Sequence, residues 1–114
     1  MNEDLLTPVK TQLDAYNAQD VELFMAQFHD DIEASTLEGE VWMSGKEQMR
    51  SHYTKLFAEN PNNRAQVPER WVMGDYVFDQ EVITGREGQA GEMKAVVIYK
   101  IESGLIRRVH FVLG

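Results

Sequence analysis

Apolar residues recur at helical spacing in the first half of the chain and at strand spacing in the second. Leu5, Val9, Leu13 and Tyr16 are four, four and three residues apart, which places them on one helix face. Pro8 comes early enough in that pattern to sit in a first turn, with Thr7 or Asp4 as its cap. Asn17 to Asp20 reads as a break, and Asp20 can cap a short second helix with the stripe Val21, Phe24, Met25 and Phe28. Ile32 to Thr36 predicts a short strand. Ser44-Gly-Lys-Glu47 has the form of a capping box, in which the serine oxygen accepts from the Glu47 amide while the glutamate reaches back. The helix it opens carries Met49, His52, Tyr53, Leu56 and Phe57 on one side and stops at Asn60-Pro61-Asn62-Asn63.

From Arg64 onward the period changes. Gln66–Met73, Tyr76–Thr84, Met93–Glu102 and Leu105–Leu113 are rich in Val, Ile and aromatic residues, and Gly-containing links join them. Short links of that kind imply an antiparallel meander. Helices first and long strands afterwards define an α+β class. The economical packing lays three single-faced helices on the concave side of one curved sheet, and such a cone leaves a cavity at its open end. In Met93–Glu102 both alternating sets contain apolar residues, Val97 and Tyr99 on one and Val96 and Ile98 on the other. The outer face is therefore a candidate surface for a homodimer.

Composition narrows what such a cavity could serve. At 114 residues and 43% hydrophobic, the chain is long enough for one domain, 1–114, and one core. Eleven Lys and Arg against nineteen Asp and Glu give a net charge of −8, which argues against nucleic acid or an anionic membrane as partner. The absence of cysteine excludes disulfides, thiol catalysis and thiolate metal sites. The acidic start MNEDLLTPVKTQ lacks the features of a signal peptide, and no apolar run reaches bilayer length, so a cytoplasmic location is expected. His29, His52 and His110 lie on different elements without metal-ligand spacing, and no metal site is expected.

The element order and four stretches together resemble the nuclear transport factor 2-like superfamily, in its SnoaL-like and ketosteroid-isomerase-like branch. Those stretches are Tyr16-Asn-Ala-Gln-Asp20, Phe28-His-Asp-Asp-Ile32, Gly39 through Ser44-Gly45, and Ser103-Gly-Leu-Ile-Arg-Arg-Val109. The resemblance implies a cystatin-like cone: a curved, mostly antiparallel mixed sheet around three helices, with an internal pocket and usually a homodimer. In the steroid isomerase an Asp base works beside a Tyr and a protonated Asp. Carried over by position, the base falls on Thr36, the tyrosine on Gln12 and the protonated aspartate on Val97, so that mechanism is not supported. Tyr53 falls on a pocket tyrosine and His52 on a pocket-lining aromatic position.

Glu38, two residues beyond Thr36, would share its face in a regular strand, and a carboxylate at an apolar cavity mouth can act as a general base. The plainer reading is a solvated hairpin charge beside Gly39. His52 suits proton shuttling, or packs as an ordinary half-buried histidine. Asp79 and Glu81 share a strand face within reach of Arg70 and Arg86. They could activate water as in epoxide-hydrolase-like relatives, or form a salt-bridge ladder. The expectation is a pocket protein for a small, mostly apolar molecule, with Glu38, His52 and Tyr53 as candidate catalytic residues. Thr36, Trp42, Met49, Val97, Tyr99, Val109 and Phe111 are the expected pocket residues. An enzyme of this kind would be a cofactor-independent isomerase, cyclase or dehydratase working by proton transfer. The alternative is a non-catalytic binding or dimerisation module of the same fold.

Overall fold

A computed structural model describes residues 2–114, with side chains from residue 5 onward. Helices α1 (Asn2–Ala18) and α2 (Val21–Met25) precede strands β1 (Phe28–Thr36) and β2 (Val41–Ser44). Helix α3 (Lys46–Glu59) then leads into β3 (Arg64–Met73), β4 (Tyr76–Thr84), β5 (Met93–Glu102) and β6 (Leu105–Leu113). The six strands form one mixed sheet in the order β2-β1-β6-β5-β4-β3, antiparallel except where β1 runs parallel to β6. The α+β class, the three helices and the mostly antiparallel sheet are as the pattern predicts.

The core follows the alternation of the strands. On β5, Ala95, Val97, Tyr99 and Ile101 point inward and are buried, while Val96 and Ile98 on the outer face are half-buried. Val9 and Tyr16 of α1, Phe24 and Met25 of α2, and Met49, Tyr53 and Phe57 of α3 face them. Phe24 lies 4.6 Å from Tyr53 and 4.9 Å from Phe28, so one aromatic cluster joins α2, α3 and β1. Among the described residues no helix is long and apolar enough to cross a membrane.

Several local expectations are corrected. Helix α1 begins at Asn2, so Pro8 lies inside it, not in its first turn, and its missing N–H leaves one rung of the helical ladder open. The side chain of Asp4, one of the two proposed caps, lies outside the described residues. Asp20 does cap α2, accepting from the Leu23 amide at 3.1 Å. Phe28 opens β1 and does not extend α2. The proposed capping box is absent: Gly45 occupies the N-cap with φ +86 and no side-chain bond. In its place Gln48 Oε1 accepts from the Ser44 amide at 2.6 Å, one residue beyond the glutamate.

Candidate functional site

The concave side of the sheet and the helices enclose a cavity of about 370 Å³. Its wall is mostly apolar and aromatic, with a few polar groups that come from different elements. On α1, Gln12 and Tyr16 are one helical turn apart and therefore share a face. Glu81 stands on the inward face of β4, opposite the small Ala95 of β5, which leaves room for its carboxylate. Tyr99 stands four residues further along β5 on the same face, and Arg86 lies just past the end of β4.

These groups form two poles. At the first, Gln12 Nε2 donates to the Tyr99 hydroxyl at 3.1 Å, and that hydroxyl donates to Glu81 Oε2 at 3.2 Å. Burial pushes the Glu81 carboxyl up from 4.5 to about 7. The Tyr99 hydrogen bond opposes that rise by favouring the ionised form, the neighbouring charge of Asp79 adds to it, and Arg70 and Arg86 oppose it. Tyr99 itself is pushed well above the ordinary phenol range, first by burial and then by the charge of Glu81. At the second pole, Arg86 Nε donates to Asn63 Oδ1 at 3.0 Å and Arg86 Nη2 to the Tyr16 hydroxyl at 3.2 Å.

Asp79 has a separate role. It is fully buried and receives both Nε and Nη2 of Arg70, at 2.6 and 2.8 Å. This fork-to-fork pair closes off its carboxylate and leaves Glu81 as the acid that lines the cavity. Arg70 and Asp79 thus form one cross-strand pair, while Glu81 and Arg86 belong to the cavity, which divides the four-membered charge set expected from sequence.

Trp42, Met49, His52, Tyr53, Val97, Tyr99, Val109 and Phe111 all line the cavity. Trp42 stacks on Phe111 with ring centroids 5.2 Å apart. Tyr53 is buried, and burial, then the Tyr16 and Glu81 charges, hold its hydroxyl protonated far above neutral pH. Its hydroxyl makes no hydrogen bond to any other described residue and is not sealed off, so a ligand can receive it. His52 stands at the exposed rim, edge-on to Tyr53 at 4.9 Å. Burial, with Arg86 and Lys55 nearby, lowers its pKa and keeps the imidazole neutral around pH 7.

Glu38 and Thr36 stand elsewhere. Strand β1 ends at Thr36, and the chain turns through Gly39 at φ +102, so the strand register that would have aligned Glu38 with Thr36 does not continue. Glu38 is exposed in that turn, and Thr36 Oγ1 accepts from the Glu40 amide at 3.1 Å; neither lines the cavity. Sequence reasoning named Glu81 and Arg86 only within a four-membered charge set, did not place them in the cavity, and missed Tyr16 and Asn63 as polar company. The one available signal was the pair of carboxylates at Asp79 and Glu81, flanked on the same strand face by Val77 and Ile83. Among the described residues no group of three or more His, Asp and Glu is placed to hold a metal ion.

Residues 9–109 match the family model described as SnoaL-like domain. Among curated proteins none matches the chain. An uncharacterized cystatin fold protein from Novosphingobium aromaticivorans is similar in structure, with a TM-score of 0.87 and 31% identity over 95% of this chain and 97% of that one. An NTF2-like protein of unknown function from Cytophaga hutchinsonii matches at 0.80 and 16% identity, over 96% and 89% of the two chains. An LEH-like epoxide hydrolase from M. tuberculosis matches at 0.82, but at 10% identity, over 98% and 84%, so the likeness is one of fold.

Proposed function

The chain belongs to the SnoaL-like domain family, and on that premise we propose that its cavity binds a small, mostly apolar carbonyl compound on which Glu81 moves a proton. The observation that carries this reading is Glu81 itself: a carboxyl in an apolar cavity, held near pH 7 by burial and oriented by Tyr99. A carboxyl poised there is competent as base and as acid at neutral pH.

Ionised Glu81 takes a proton from the carbon beside the ligand carbonyl, and the released electron pair moves onto the carbonyl oxygen. The Tyr53 hydroxyl, protonated and without a hydrogen-bond partner among the described residues, donates to that oxygen as its charge grows. Protonated Glu81 then returns the proton to the same or another carbon. The step balances within the ligand and Glu81 and calls on no co-reactant. Isomerisation, ring closure and loss of water all pass through the same enolate.

The test is incubation of the protein in D2O with small cyclic ketones, following deuterium entry at the α-carbon by NMR. Exchange above the buffer rate that disappears in Glu81→Gln supports the reading. Binding without any exchange contradicts the proton transfer and leaves the protein a binding module.

A further inference from the structure

Arg86 is half-buried and is the only Lys or Arg among the residues lining the cavity. No carboxylate of the described residues lies within salt-bridge reach of it; its partners are the neutral Asn63 and Tyr16. A guanidinium only donates, so the Asn63 amide must turn its Oδ1 toward Arg86. That orientation sends Asn63 Nδ2 to the Tyr16 hydroxyl, at 2.6 Å. The Tyr16 oxygen therefore accepts from both Asn63 and Arg86. Its lone pairs are occupied, and its own O–H remains to donate. Of the five N–H groups on Arg86, two are used by these partners. This end of the cavity offers only hydrogen-bond donors and positive charge.

The arrangement is also held in place. A Cβ on Gly85 would lie 2.0 Å from the Asn62 carbonyl oxygen, so the backbone after β4 runs directly against the Asn60–Asn63 turn. The Glu87 amide donates to Asn60 Oδ1 at 2.8 Å, fastening the other side of Arg86 to the same turn. Asn63 is fully buried. Arg86 is thus clamped between two fixed points, a preorganised donor and not a mobile surface charge.

We infer that the cavity takes an amphipathic carboxylate, its anionic head seated on Arg86 and the Tyr16 hydroxyl and its apolar body against Phe24, Met49 and Val97. The inference rests on the pocket reading above and names its ligand class. A planar carboxylate matches the guanidinium fork with two parallel bonds. A phosphate would bring a second negative charge into a cavity with one cation and with Glu81 also in its lining.

The experiment compares 2-naphthoate with methyl 2-naphthoate, two ligands of nearly the same shape that differ in charge. Binding is followed by calorimetry at neutral pH on the wild type, Arg86→Met, Arg86→Lys and Tyr16→Phe. The wild type is expected to prefer the acid by about tenfold or more, the scale of a charge-assisted hydrogen bond. Arg86→Met should lose that preference while keeping its affinity for the ester, which also reports that the cavity is intact. Arg86→Lys, which keeps the charge but not the fork, should fall between, and Tyr16→Phe should lose a smaller part. Equal wild-type affinity for acid and ester overturns the anion seat and leaves the pocket reading standing. An acid preference that persists in Arg86→Met also overturns it. Binding of neither probe overturns both.

Discussion

The Tyr99 hydroxyl donates a hydrogen bond to the Glu81 carboxylate across 3.2 Å, within a cavity whose walls are mostly apolar. Two opposed influences meet at that carboxyl. Burial favours the neutral acid and the phenol favours the anion, and burial prevails, which leaves Glu81 near 7.

The first consequence concerns stability. Glu81 is near 4.5 in the unfolded chain and near 7 in the fold, so the folded state holds more protons between those values. Its contribution is intact below about pH 4.5 and is lost as pH rises through about 7. The full shift corresponds to about 3 kcal/mol. Glu81→Gln keeps the size and removes the titration. Chemical denaturation as a function of pH should show the variant more stable than wild type above pH 7 and the gap closing toward pH 4.5.

Removing the phenol should move the same midpoint further. Tyr99→Phe takes away the hydrogen bond that favours ionised Glu81, so the Glu81 midpoint rises above its wild-type value. Gln12 loses its acceptor in the same change. A pH titration of Glu81 in the variant checks the direction, and a fall in the midpoint contradicts it.

The neighbouring Arg70–Asp79 pair should behave as structure and not as chemistry. Arg70→Met leaves the fully buried Asp79 without its two donors, and breaking a buried pair in this way costs about 3–5 kcal/mol. Denaturant titration should show that loss. Any proton exchange still measured under conditions where the variant is folded should stay within a few-fold of wild type.

Gly85 and Gly88 offer a matched comparison. Both have positive φ, +80 and +79, so alanine at either adds left-handed strain of about 1 kcal/mol. At Gly88 nothing lies within 4 Å of the added carbon, whereas at Gly85 it meets the Asn62 carbonyl oxygen at 2.0 Å. Gly85→Ala should therefore destabilise clearly more than Gly88→Ala in thermal melts and should weaken 2-naphthoate binding, because Arg86 follows directly.

Much of the fold was legible because strand and helix leave different periods. Met93–Glu102 and Leu105–Leu113 have the bounds that their apolar, β-branched-rich pattern predicts. Strand β3 begins at Arg64, two residues before the predicted bound at Gln66, where it pairs with β4 and where Asn17 bonds the Ala65 backbone in both directions, tertiary contacts no local pattern carries. The α3 cap depended on backbone conformation at Gly45, which sequence spacing cannot supply. In the site, apolar positions such as Met49 and Val97 follow from helix and strand periodicity. Glu81 does not, because β4 has apolar residues on both faces, Val77 and Ile83 on one and Phe78 and Val82 on the other. Which face turns inward is settled only when β5 pairs with it. Arg86 depends on a loop held by a turn more than twenty residues earlier. Glu38 failed for the converse reason: strand register was extended past a turn that ends it.

If Glu81 is a cavity acid tuned to neutrality, its own titration must show it. Carbon-13 NMR of the protein labelled at glutamate side-chain carboxyls, with Glu81 assigned by its loss in Glu81→Gln, follows the carboxyl from pH 4 to 9. The expected midpoint is near 7. A midpoint near the ordinary 4.5 would contradict it and remove Glu81 as the proton-transfer group.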